Sequence, residues 1–138
     1  MIHVCGGPVA WRSKLMQTIA LSSCEAEFMA LTEVCRELMW MCRFLDEIGI
    51  EYETPNVYCD SSSAINWAED PVQHQRNKHV EIKYYYCRDV VADEKVRLFK
   101  INTVNNLADI MTKPVGQQII KRLRERVMGH EPPVFDDA

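Results

Sequence analysis

Ser22-Ser23-Cys24-Glu25-Ala26-Glu27-Phe28-Met29-Ala30-Leu31 opens the longest periodic segment of the chain. Ser22 and Glu25 have the spacing of a capping box, in which Ser22 accepts from the Glu25 backbone N–H and the Glu25 side chain reaches back. Beyond them Leu31, Val34, Leu38, Met41, Leu45 and Ile48 recur at intervals of 3, 4, 3, 4 and 3, the period of one helix face. Gly49 then stands where a helix commonly stops. The spacing predicts one long helix. Stepping four residues back from Leu31 lands on Glu27, a carboxylate on the apolar stripe. Burying an unpaired charge costs several kcal/mol, so a buried Glu27 would want a cation. Alternatively Glu27 is an acid near a helix start, complementing the helix dipole from solvent.

Upstream, short apolar runs at 2–5 and 8–11 flank Gly6-Gly7, a hairpin signal, and residues 16–21 read as a further strand. Downstream, Asn56 to Asp60 reads as a short strand after Pro55, and Ser61-Ser62-Ser63 caps a brief helix through Ala68. Asp60 is thus expected where a strand runs into a helix, the place at which open α/β sheets hold ligands; the alternative, which position alone favours, is a helix-capping Asp. A polar loop with Arg76 and Lys78 leads to a helix from about His79 to Val91, in which Val80, Tyr84, Cys87 and Val91 share a face. Residues 96–101 read as a strand and 102–106 as a turn. Leu107 to Lys113 forms a short helix stopped by Pro114. Asp109 lies in its first turn, where the dipole alone accommodates an acid. A last helix, about Gln117 to Met128, sets Ile120, Leu123 and Val127 against four basic residues, which read as a solvated face rather than a phosphate-binding one. The acidic tail 129–138 lacks periodicity and is expected to be disordered.

The chain has 138 residues, 47% of them apolar and 26% charged, which suits one globular core. No apolar run long enough for a membrane span exists, and the first residues lack a secretory pattern. The expected setting is intracellular, cytoplasmic or nuclear, with no membrane partner. Cys5, Cys24, Cys35, Cys42, Cys59 and Cys87 form no Cys-x-x-Cys pair and read as reduced thiols, mostly buried. Net charge is −4, but residues 1–70 carry four Lys/Arg against eleven Asp/Glu, whereas 71–138 carry twelve against nine. Phosphate contact is therefore expected from the second half, where Arg76, Lys78, Lys83 and Arg88 precede the basic last helix.

Three carboxylates, Glu27, Asp60 and Asp109, stand at element edges without a ligating His or Cys motif. Such a set is what Mg²⁺ takes, since it prefers oxygen ligands and retains waters, and two such ions serve phosphodiester hydrolysis. Ala26-Glu27-Phe28-Met29-Ala30-Leu31 resembles Ala-Glu-Tyr-Met-Ala-Leu of the ribonuclease H domain that ends the Pol polyprotein of copia-type (Ty1-like) retrotransposons. Tyr58-Cys59-Asp60 is similar to its Tyr-Cys-Asp, and Ala108 to Pro114 to its Ala-Asp-Ile-Leu-Thr-Lys-Pro. Arg76 to Ile82 and the closing helix at Lys121 to Arg126 also match in order, so the resemblance covers residues 2 to 128. Ser61 and Ser62 depart from the family's Asn and Gln, and Asn102 from its Pro.

The resemblance implies a ribonuclease H-like α/β fold, a mixed sheet flanked by helices, occupying residues 1–128. It implies cleavage of the RNA strand of RNA–DNA hybrids with two Mg²⁺ ions held by Glu27, Asp60 and Asp109. Arg76, Lys78 and His79 are the expected substrate contacts, and the reverse transcriptase part of the polyprotein the expected partner. The family's fourth carboxylate, an Asp on a first, central strand, precedes the Gly-Gly-Pro segment and is not among these 138 residues. The expectation is accordingly a partial domain inactive alone. The alternative is a catalytically dead transposon relic that binds nucleic acid or protein.

Overall fold

The computed structural model describes residues 1–16, 19–69, 85–112 and 114–130. The architecture is mixed α/β, with strands β1 (Ile2–Val4), β2 (Gly7–Ala10), β3 (Asn56–Cys59) and β4 (Arg97–Lys100). The helices are α1 (Ser23–Glu47), α2 (Ser62–Glu69), α3 (Tyr85–Ala92), α4 (Asp109–Thr112) and α5 (Gln117–Val127). The described strands pair as two separate two-stranded sheets, β1 with β2 and β3 with β4. Contacts divide the chain into two compact units, one of residues 1–18 and 101–138, the other of residues 19–100.

In the first unit β1 and β2 form an antiparallel hairpin with Val4 opposite Gly7. Its loop is Cys5-Gly6, with φ of 50° and 82°. Positive φ at both central residues is the twist-matched hairpin turn, so the turn comes one residue earlier than Gly6-Gly7 suggests. No strand forms in the described residues 16 and 19–21; residues 17 and 18 lie outside the described set. The Asn102 side chain accepts from Val104 N–H and starts a 3-10 turn at Thr103–Asn105. Next, Asn106 Oδ1 accepts from Ala108 N–H at 3.1 Å and leads into α4. In α5 only Leu123 of the expected apolar trio is fully buried. Ile120 is exposed.

The second unit runs α1, β3, α2, α3, β4. The strands pair in parallel, Asn56 opposite Arg97 through Cys59 opposite Lys100, and a parallel pair requires a long crossover. Here the crossover passes through α2 and α3. Helix α1 packs on α2 and α3, and α2 on both strands.

The buried line of α1 is Phe28, Leu31, Thr32, Cys35, Leu38 and Cys42. It shares Leu31 and Leu38 with the expected stripe but turns toward Cys35 and Cys42 rather than Val34, Met41 and Leu45. Small side chains explain the rotation. Cys35 on α1 and Cys87 on α3 bring their sulfurs to 3.5 Å, a close approach that a larger residue at either position would prevent. Phe28 is wholly buried and meets Trp67 of α2 edge-on at 5.9 Å. Burial of a ring of this size contributes about 2–3 kcal/mol.

Arg88 closes the unit from inside. Only 8% exposed, its Nε donates to the Trp67 carbonyl at 2.6 Å, and its guanidinium lies 5.5 Å from the Phe28 ring centre and 5.1 Å from that of Tyr85. The Trp67 carbonyl belongs to the last turn of α2, where carbonyls lack helical partners. The expectation that Arg88 serves phosphate contact is therefore corrected: its charge is committed to a helix end inside the fold.

Candidate metal centre

Helix α1 begins as its sequence dictates. Ser22 is the N-cap and its Oγ accepts from Glu25 N–H at 3.1 Å. The Glu25 carboxylate reaches back, but to Leu21 N–H at 2.7 Å, one residue before the cap. Glu25 is thereby the buried acid of this turn, 5% exposed, and Glu27 is exposed. Of the two readings of Glu27, the exposed acid near the helix start holds and the buried-stripe one does not, because the stripe passes through Phe28 instead.

Exposure does not leave Glu27 in open solvent. A carboxylate oxygen of Glu27, the sulfur of Cys59 and a carboxylate oxygen of Asp60 all lie within 4.8 Å of one another. Two main-chain features bring them together. Asp60 follows β3 directly, at the carboxyl edge of the parallel pair, and α1 delivers Glu27 to that edge. Two carboxylates this close repel each other by about 1 kcal/mol at the dielectric of water and by more in protein surroundings. A cation relieves that repulsion.

Cys59 forms the floor of the cluster. It is buried, its sulfur accepts from Ser61 N–H at 3.4 Å, and it lies 3.7 Å from the Ser61 carbonyl. Burial pushes its thiol up from the ordinary range; the Ser61 backbone bond pulls the other way, and the Glu27 and Asp60 carboxylates add to the upward push. Cys24, at the start of α1, is also raised, by burial first and then by Glu25 and Glu27. The field at this edge is negative. With the sulfur occupied by Ser61, the carboxylate oxygens are the hard donors facing outward, which suits a Mg²⁺- or Mn²⁺-type ion better than a thiophilic one.

Lys100, the last residue of β4, sits across the register from Cys59, and its Nζ donates to the backbone carbonyl of Asp60. Neither Cys59 nor Lys100 is marked as a member of the cluster by the sequence pattern. The available signal was strand alternation: Lys100 shares a strand face with Leu98, so a charge there interrupts an otherwise apolar row at the strand end.

Asp109 is the first residue of α4 and half-buried, its N–H donating to the Asn106 carbonyl at 3.2 Å. It belongs to the first unit, whereas Glu27 and Asp60 belong to the second. Arg76, Lys78 and His79 lie outside the described residues.

No family model and no solved structure matches the chain. Curated proteins do. Over 125 residues, 91% of its length, the chain is 41% identical to the Retrovirus-related Pol polyprotein from transposon TNT 1-94 of Nicotiana tabacum. Its homologues are retrotransposon Pol polyproteins. The Pol polyprotein from transposon RE2 of Arabidopsis thaliana is 33% identical over 92% of the chain. The Transposon Ty1-NL2 Gag-Pol polyprotein of Saccharomyces cerevisiae is 25% identical over 88%. The chain spans 9% of the length of the first two and 7% of the third. It is thus similar to one segment of a Pol polyprotein. Among the described residues no helix is long and apolar enough to cross a membrane.

Proposed function

We propose that this Pol-type segment is a ribonuclease H-like domain whose site hydrolyses the RNA strand of RNA–DNA hybrids. The observation that carries the proposal is the meeting of Glu27 and Asp60 at the carboxyl edge of the β3–β4 pair. These are two of the three acids that the motif resemblance marks as ligands, and 33 residues separate them along the chain. Homology to Pol polyproteins supports the same reading.

Glu27 and Asp60 would hold divalent cations; the ligand role of Asp109 stands on the motif resemblance alone. When bound, two hard cations supply a nucleophilic water and stabilise the leaving oxygen. The chain's own part is to fix the acids. Ser22 caps α1 and sets the rotation of Glu27, Phe28 anchors the adjacent position beneath Trp67, and the β3–β4 pairing fixes the point at which Asp60 leaves the sheet. Arg76, Lys78 and His79 keep the role of contacting substrate phosphate, which their charge and motif position support.

The test is cleavage of a labelled RNA–DNA hybrid in Mg²⁺. The chain is used as it stands and with an Asp-bearing strand fused ahead of Met1, since the motif resemblance calls for a fourth carboxylate there. The expected result is cleavage by the extended form, abolished by Asp60→Asn. Cleavage untouched by Asp60→Asn, or none by a folded extended form, refutes the reading. Salt-dependent hybrid binding without cleavage would select the alternative, a nucleic-acid-binding module.

A further inference from the structure

We infer that Lys100 is a substrate-binding residue of this site, contacting a phosphate of the nucleic-acid strand beside Glu27 and Asp60; the inference rests on the hybrid-hydrolysing reading above. Lys100 ends β4 directly opposite Cys59, on the strand face that also carries Leu98, the face on which Val57 and Cys59 of β3 are buried. An aliphatic residue would complete that row. A lysine there runs its methylenes along the row and carries its ammonium past the sheet edge, where Nζ donates to the Asp60 carbonyl. The side chain is exposed, so its ammonium lies where an arriving strand can meet it.

The placement meets a chemical need. The acids are complementary to cations but repel the polyanionic strand that must approach them. A positive charge on the same edge, set back on the backbone carbonyl of one ligand-bearing residue, neutralises part of that repulsion without occupying the carboxylate oxygens. The Asp60 carbonyl is a neutral acceptor, and a phosphate oxygen is a charged one with shorter and stronger hydrogen bonds to an ammonium. When a strand arrives, Nζ moves from the carbonyl to the phosphate at small cost, because both lie within the reach of one flexible side chain.

The experiment compares the wild-type chain with Lys100→Gln and Lys100→Arg. Affinity for a labelled RNA–DNA hybrid is measured across a salt series in EDTA, so that no strand is cut, and Mn²⁺ binding is titrated separately on each folded protein. One lost phosphate contact makes the slope of log affinity against log salt shallower by about 0.9. Lys100→Gln is expected to show that loss while binding Mn²⁺ no more weakly than wild type, and Lys100→Arg to restore the slope. An unchanged slope in Lys100→Gln, with Mn²⁺ binding intact, overturns the inference alone. Loss of Mn²⁺ binding in Lys100→Gln also overturns it, by showing that Lys100 holds Asp60 in place rather than meeting substrate. If the wild-type chain shows no Mn²⁺ binding that Asp60→Asn removes, the underlying site falls and the inference falls with it.

Discussion

Replacing Arg88 by methionine tests how the second unit holds the start of α1. Methionine fills much of the same volume but removes the donor on the Trp67 carbonyl and the charge over the rings of Phe28 and Tyr85. A hydrogen bond from a charged group contributes about 1.5–3 kcal/mol. A desolvated cation over an aromatic face adds roughly 0.5–2 kcal/mol. The two ring contacts share one guanidinium and do not add in full. The expected loss is about 3–4 kcal/mol, a large part of the roughly 5–15 kcal/mol that stabilises a domain. Near this chain length, 1 kcal/mol moves the midpoint by about 4 °C, so thermal unfolding followed by far-ultraviolet circular dichroism should shift down by roughly 12–16 °C. The substitution Arg88→Lys keeps the charge without the planar fork and should lose about half as much. A loss under about 1 kcal/mol in Arg88→Met would refute the reasoning and return Arg88 to the pool of surface cations.

Three further outcomes follow from local geometry. Ser22→Ala leaves the Glu25 N–H without its cap and should cost about 1 kcal/mol in urea unfolding. Cys5→Asn relieves a left-handed backbone at the first turn position and should stabilise the hairpin unit by about 1 kcal/mol, read from amide hydrogen exchange of the β1–β2 strands. Glu125 is held below its ordinary 4.5, first by the His130 hydrogen bond and then by Arg124. Its folded value is depressed, so its contribution is present above about 4.5 and disappears as pH falls through the lower folded value; carboxyl-carbon NMR should find it titrating below 4.5.

Much of the local structure was legible because it depends on short-range chemistry. The Ser22 cap, the long α1, the strand at Asn56 and the strand at Arg97 each carry their own signal within a few residues. What failed involved tertiary packing. Val34, Met41 and Leu45 outrank Cys35, Cys42 and Thr32 in apolar character, yet close contact of α1 with α3 selects the small side chains. The candidate site was half visible in the same sense. The motif resemblance named Glu27 and Asp60, but only folding brings them together, and periodicity left Glu27 undecided between the buried stripe and solvent. Cys59 and Lys100 join the cluster through strand register, which no single segment encodes. The basic loop Arg76 to His79 lies outside the described residues, so its role stands on the sequence alone.

Glu27 and Asp60 acting as one cation site is the central claim. Calorimetric titration of the chain with Mn²⁺, beside Glu27→Gln and Asp60→Asn, measures that directly. The account predicts saturable binding by the wild-type chain that each substitution abolishes while the fold is retained. Absence of saturable binding, or binding that survives both substitutions unchanged, would contradict it.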